Sequence, residues 1–197
     1  MQPHITELCK KLGRAVGMLH QIRKLCPAST LRSLYFSIFH SHLSYGLVVW
    51  GNAGKADTKK IKSLQKKAIK AISEPKMFYD NNITHKFYDL NILNVNDQIQ
   101  YQISSLMWDY DHDTLPSSLT DCFVRTSHIH NYKTRGALRG NLYHTKVNTI
   151  KYGINAFKYQ GIHVLNNLKK LDIYGKAKNK IKFLKDLKSH FLSKYII

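Results

Sequence analysis

Leu31-Arg32-Ser33-Leu34-Tyr35-Phe36-Ser37-Ile38-Phe39-His40-Ser41-His42-Leu43-Ser44-Tyr45-Gly46, continuing to Val49-Trp50-Gly51-Asn52, carries one charge in its whole length. Leu31, Leu34, Tyr35, Ile38, Phe39, His42, Leu43, Gly46, Val49 and Trp50 recur three and four residues from one another, the spacing of one broad helical stripe. This predicts a helix over Leu31–Val49 as the most buried element. Upstream, Ile5, Leu8, Leu12, Ala15, Val16, Leu19, Ile22 and Leu25 repeat the period, so a first helix is expected over Ile5–Leu25. Cys26-Pro27-Ala28 separates the two, and Ser29 or Thr30 can cap the second by accepting a backbone N–H.

Downstream, Gly51-Asn52-Ala53-Gly54 reads as a turn, because Gly and Asn tolerate positive φ. A third helix is expected from Asp57, as N-cap, to Ser73. Ile61, Leu64, Ala68, Ile69 and Ile72 form its inner face; Lys59, Lys60, Lys62, Lys66, Lys67 and Lys70 form its outer one. Such a cationic exterior repels itself unless an external anion relieves it.

Beyond Glu74-Pro75 and the loop at Asn81-Asn82 the pattern is looser. Short helical turns are expected at 85–90 and 115–123, and a helix at 97–110 capped by Asn94 or Asn96. Residues 124–140 read as a polar, basic loop, and 142–159 as one or two strands on the alternation of Val147, Ile150, Tyr152, Ile154 and Phe157. A helical pattern returns at 161–168, and a terminal helix over 176–195 buries Ile181, Leu184, Leu187, Phe191 and Leu192. The expected fold is mainly α, a bundle of about five to seven helices with a small β element near 142–159.

Lys and Arg number 31 against 12 Asp and Glu, a formal net charge of +19. The excess is in blocks: +4 over residues 1–24, +1 over 25–54, +6 over 55–76, −6 over 77–123 and +14 over 124–197. Two basic ends around an acidic middle point to a polyanionic partner, RNA or DNA. The 43% hydrophobic content is too high for a disordered chain. No membrane partner is expected, since serines and histidines interrupt the uncharged run Ser33–Asn52. Glu7, Lys10, Lys11 and Arg14 break any secretory leader, and Cys9, Cys26 and Cys122 form no CxxC pair. An intracellular protein, nuclear or cytoplasmic, is the expectation.

Six stations in order resemble a known family. Leu31–Gly46 with Val49-Trp50-Gly51-Asn52, and Leu64-Gln65-Lys66-Lys67-Ala68-Ile69-Lys70-Ala71-Ile72, are similar to the region just after the polymerase palm in reverse transcriptases of jockey-like non-LTR retrotransposons. Leu90-Asn91-Ile92-Leu93, Leu115-Pro116-Ser117, His128–Arg135 and Ile154–Gly161 resemble later stations, and His163-Val164-Leu165 departs from the family where Trp is usual. The resemblance implies a C-terminal fragment of an RNA-directed DNA polymerase. Residues 1–76 would be a three-helix thumb-like domain, 77–123 an acidic helical connector, and 124–197 a basic segment with a loop, strands and a terminal helix. Its implied partners are a primer-template duplex and the polymerase palm. Lys59, Lys60, Lys62, Lys66, Lys67 and Lys70 would hold phosphates; Tyr132, Lys133, Arg135 and Arg139 would form a second contact loop, Arg gripping phosphate and Tyr stacking on an unpaired base. The alternative is a decayed, transposon-derived interaction protein whose Leu31–Trp50 stripe is an orphaned interface.

The family's paired catalytic aspartates, which hold Mg²⁺, have no counterpart in this chain. Tyr110-Asp111-His112-Asp113 lacks the adjacent pair, so Mg²⁺ is implied for the parent polymerase and no cofactor for this chain. Asp109, Asp111 and Asp113 open like a calcium loop, but Thr114 and Thr120 stand where Gly and Glu are needed, and a solvated acidic helix end is expected. His128 and His130 have no closed four-ligand zinc spacing with Cys122, His112 or His144. His40 and His42 face different directions, one of them toward the core. No nucleophile elbow or phosphate loop is present, so no stand-alone catalysis is expected.

Overall fold

The computed structural model describes residues 2–73, 83–130, 132–144, 146–149, 154 and 156–196. The expected break at Glu74-Pro75, the loop at Asn81-Asn82, and the Ile150 and Tyr152 positions of the expected strands lie outside the described residues. The fold is mainly helical, as the periodicity predicts. Five helices have twelve residues or more: α1 (Gln2–Ile22), α5 (Lys55–Ile72), α7 (Val95–Asp111), α10 (Phe157–Leu168) and α12 (Lys180–Ser193). Shorter ones are α2 (Ala28–Leu34), α3 (Ser41–Ser44), α4 (Leu47–Trp50), α6 (Ile83–Asp89), α8 (Ser117–Thr120), α9 (Arg135–Leu138) and α11 (Asp172–Lys176). The expected β element is corrected: among the described residues only one antiparallel bridge, Arg125 to Leu142, is found, and Phe157–Tyr159 start α10. No helix among the described residues is long and apolar enough to cross a membrane.

The chain forms two compact units, one of residues 1–98 with 189–197 and one of 99–188. In the first, α1 packs along α5, with Ile5, Leu8, Leu12, Ala15, Val16 and Leu19 all buried as their spacing predicts. Leu25 departs from that expectation and is 83% exposed, because the helix ends at Ile22 and the later residue leaves the face. Neither Ser29 nor Thr30 caps α2; Pro27 occupies the cap with extended backbone, and its fixed φ suits the start of a helix.

The stretch 31–50 is not one helix. Between α2 and α3, Tyr35–His40 winds as a π segment. Four residues of α-helix overshoot a full turn by about 40°, so residues four apart drift around the axis. The π segment turns less per residue and cancels the drift. Leu31, Tyr35, Phe39 and Leu43, each four apart, are therefore all buried on one line, whereas Leu34, Ile38 and His42 are not. His40 is half-buried and His42 exposed, matching their expected divergence. The helix stops at Ser44, and Gly46 at φ +60 reverses the chain in a conformation that suits glycine. Trp50 then donates its indole N–H to the Tyr45 carbonyl at 2.8 Å and is buried, leaving Val49 69% exposed.

Gln65 joins this segment to the next. From the inner face of α5 its amide nitrogen donates to the Tyr35 hydroxyl at 3.2 Å and the Leu93 carbonyl at 2.9 Å, while its oxygen accepts the Val95 N–H at 3.0 Å. Asn94 caps α7 as expected, its side chain accepting the Asp97 N–H at 3.1 Å. Tyr195 closes the cluster, donating to the Asp97 carboxylate and accepting from the Asn94 amide at 2.8 Å.

In the second unit Gly161 lets α10 approach α7: a Cβ there would lie 2.8 Å from the Met107 sulfur. Trp108 stacks on Phe183 with ring centroids 4.4 Å apart, so Phe183 is buried and Ile181, expected inside, is 80% exposed. The terminal helix expected over 176–195 starts later, as α12 at Lys180, where the Asn179 side chain accepts the Lys182 N–H at 2.8 Å; the short α11 precedes it.

Candidate nucleic-acid interface

Helix α5 begins two residues earlier than its charge pattern predicts, with Gly54 at the cap and Asp57 inside the first turn, where a carboxylate meets the positive end of the helix dipole. At about 100° per residue, Lys59, Lys60, Lys62, Lys66, Lys67 and Lys70 fall within an arc of about 160°. Thr58, Ile61, Gln65, Ala68, Ile69, Ala71 and Ile72 occupy the rest and are buried. All six lysines are on the open side; Lys62 is half-buried and the other five are exposed. Among the described residues none of the six forms an ion pair. The one-sided face exists because the opposite side is fixed by packing against α1 and by the Gln65 hydrogen bonds.

The second group lies in the other unit. Tyr132 is 79% exposed, and Lys133, Arg135 and Arg139 are exposed too. The expected featureless loop contains α9, capped by Thr134, whose hydroxyl accepts the Ala137 N–H at 3.2 Å. Arg135 starts α9 and Arg139 follows it, one turn apart. Among the described residues neither forms an ion pair, nor does Lys133. The ten candidate residues are thus six on one helix face and four on one loop.

The acidic end of α7 is not solvated as expected. Asp109 pairs with Lys180 at 2.6 Å, and the Asp111 carboxylate receives Lys169 at 2.8 Å, Arg125 at 3.3 Å and the Tyr174 hydroxyl at 2.8 Å. Burial by itself raises the Asp111 pKa, but hydrogen bonds from Lys169 and Tyr174 and the charges of Lys169 and Arg125 outweigh it and hold the carboxyl below its usual value. Burial foremost, then the bond to Asp111 and its charge, push the Tyr174 phenol up. This carboxylate is engaged by an ammonium, a guanidinium and a phenol, while Asp113 sits past the helix end at φ +54. Among the described residues no group of three His, Cys, Asp or Glu could hold a metal ion.

Sequence reasoning missed Asp111, Arg125 and Lys169 as a group. One signal was present: no Asp or Glu occurs between Asp121 and Asp172, so any cation buried in that stretch must find its acid elsewhere in the chain. Comparison with protein-family models, with curated proteins and with solved structures finds no match.

Proposed function

We propose that the chain is a nucleic-acid-binding C-terminal part of a retrotransposon RNA-directed DNA polymerase, contacting the phosphates of a primer-template duplex through the outer face of α5. The observation that carries this reading is the set of six lysines on one arc of a helix, with no carboxylate paired to them among the described residues. The ordered resemblance of six sequence stations supplies the family. Each lysine that neutralises a phosphate releases condensed counterions, so binding is weakly sequence-specific and steeply salt-dependent. The protein works inside the cell, in nucleus or cytoplasm, and the polymerase palm is its second partner. Polymerisation is assigned to that palm, since no two aspartates are adjacent in this sequence.

The test is the affinity of the full chain for a primed RNA–DNA duplex over a salt series. Replacing all six lysines by Gln, itself a good helix former, should flatten the slope of log affinity against log salt by about 0.9 for every phosphate no longer neutralised. A flat slope in the unaltered chain, or a slope untouched by the six substitutions, would overturn the reading. The reading of Leu31–Trp50 as an orphaned interface gains no support, because Leu31, Tyr35, Phe39, Leu43, Leu47 and Trp50 are buried within the first unit.

A further inference from the structure

Within the second unit, the chain comes back on itself between Arg125 and Leu142. Besides the Arg125–Leu142 bridge, the Thr126 N–H donates to the Asn141 carbonyl at 2.9 Å and the Tyr143 N–H to the Val124 carbonyl at 2.8 Å. Asn166 of α10 clamps Leu142 from the side, accepting its N–H at 2.8 Å and donating to its carbonyl at 2.9 Å. Lys169 donates to the Gly140 carbonyl at 2.8 Å, Arg125 donates to the same oxygen at 3.4 Å, and both cations pair with Asp111. The two stem cations therefore share a counter-ion, and the tip cations Lys133, Arg135 and Arg139 have none among the described residues.

The tip also presents apolar surface. Tyr132 is 79% exposed, Leu138 72% and Ile129 49%. A duplex offers phosphates and covers the faces of its bases; an unpaired strand offers both. Exposed aromatic and aliphatic side chains in the same short segment as exposed guanidinium groups complement the second. Arg135 and Arg139, one helical turn apart, can reach the same backbone, while Tyr132 supplies a ring for a base to stack on.

We propose that the 125–142 loop is a preformed site for an unpaired stretch of nucleic acid, with Tyr132 as stacking platform, Arg135 and Arg139 as phosphate grips, and Asp111 as the positioning residue that fixes the stem. This rests on the reading of the chain as a nucleic-acid binder and adds to it a strand class that α5 does not select. The recognised chemistry, phosphodiester with an accessible base, is common to RNA and DNA.

The experiment measures binding of the full chain to fluorescent oligo-U and oligo-dT of about ten nucleotides, within the range of single-strand sites, and to a blunt RNA–DNA duplex of equal length. Tyr132→Ala should weaken both single strands by at least about fivefold and leave the duplex within about twofold, and Tyr132→Phe should restore single-strand binding. Asp111→Asn should lower single-strand affinity relative to duplex affinity, with Asp111→Glu recovering part of the ratio. General unfolding would depress both probes together, and an equal loss on both would overturn the positioning role. Single-strand binding indifferent to Tyr132→Ala, while the six-lysine variant loses duplex binding, would overturn the loop site and leave the proposed function standing. Failure of every probe to bind would overturn both. Tyr132-dependent binding of one single strand and not the other supports the site and identifies its sugar.

Discussion

Helix α5 and the 125–142 loop both carry cations unpaired among the described residues, yet they hold them by different means. On α5 the lysines share a face because residues three, four and seven apart share a face in any α-helix, and the inner side need only be packed. In the loop, Tyr132, Arg135 and Arg139 are each exposed, and the stem that carries them is bonded to Asp111, Asn166 and Lys169, all of which lie outside the loop in sequence. A helix face tolerates substitution of any one lysine. A loop stem depends on particular partners, so single changes there should have effects that single changes among the lysines do not.

Packing gives the strongest way to break this contrast. Phe39 is fully buried and stacks on Tyr35 at 5.2 Å, so Phe39→Ala should cost about 3–5 kcal/mol in urea unfolding and, by loosening the inner side of α5, reduce duplex affinity too. Asp111→Asn comes next. It leaves the Lys169 ammonium, whose side chain is 8% exposed, without its counter-ion, and a loss of about 3 kcal/mol is expected while the salt slope on duplex is retained.

Acid should reproduce part of that change. The folded pKa of Asp111 lies below the ordinary 3.8, so its stabilisation is fully present above that value and is lost as pH falls through the depressed one. Thermal melts from neutral pH downward should show this acid-side loss in the unaltered chain and a smaller one in Asp111→Asn. Gly140→Ala should be the mildest. Gly140 has φ +67, and an added Cβ would lie 3.2 Å from the Arg125 guanidinium and 3.3 Å from the Lys169 ammonium, so about 1–2 kcal/mol is expected. If Gly140→Ala left single-strand binding unchanged while lowering stability, the stem would be a support for folding only.

What was legible in the residues followed distance along the chain. Most of the inner face of α1, from Ile5 to Leu19, and of α5, apart from the half-buried Leu64, could be read directly, as could the lysine face of α5, because each rests on local spacing. So could the Asn94 cap, three residues from the N–H it accepts. The π segment at Tyr35–His40 could not be read, since an ordinary helical period fits the same apolar set and only the packing of Leu31, Tyr35, Phe39 and Leu43 on one line selects it. Ile181, expected inside, is exposed because Trp108, far off in sequence, takes the Phe183 ring as its stacking partner and turns that side of the helix inward.

The sequence by itself determined that this protein is mainly helical, that its charge is gathered into basic ends around an acidic middle, and that one helix would wear lysines on one side. Those properties depend on composition and on the geometry of a single turn of backbone. Only the tertiary structure decided that an acidic helix end would be spent on Lys169, 58 residues from Asp111, and that the loop so anchored would hold Tyr132, Arg135 and Arg139 out to solvent. A buried charge must find an opposite one, and which one it finds is a matter of proximity in space.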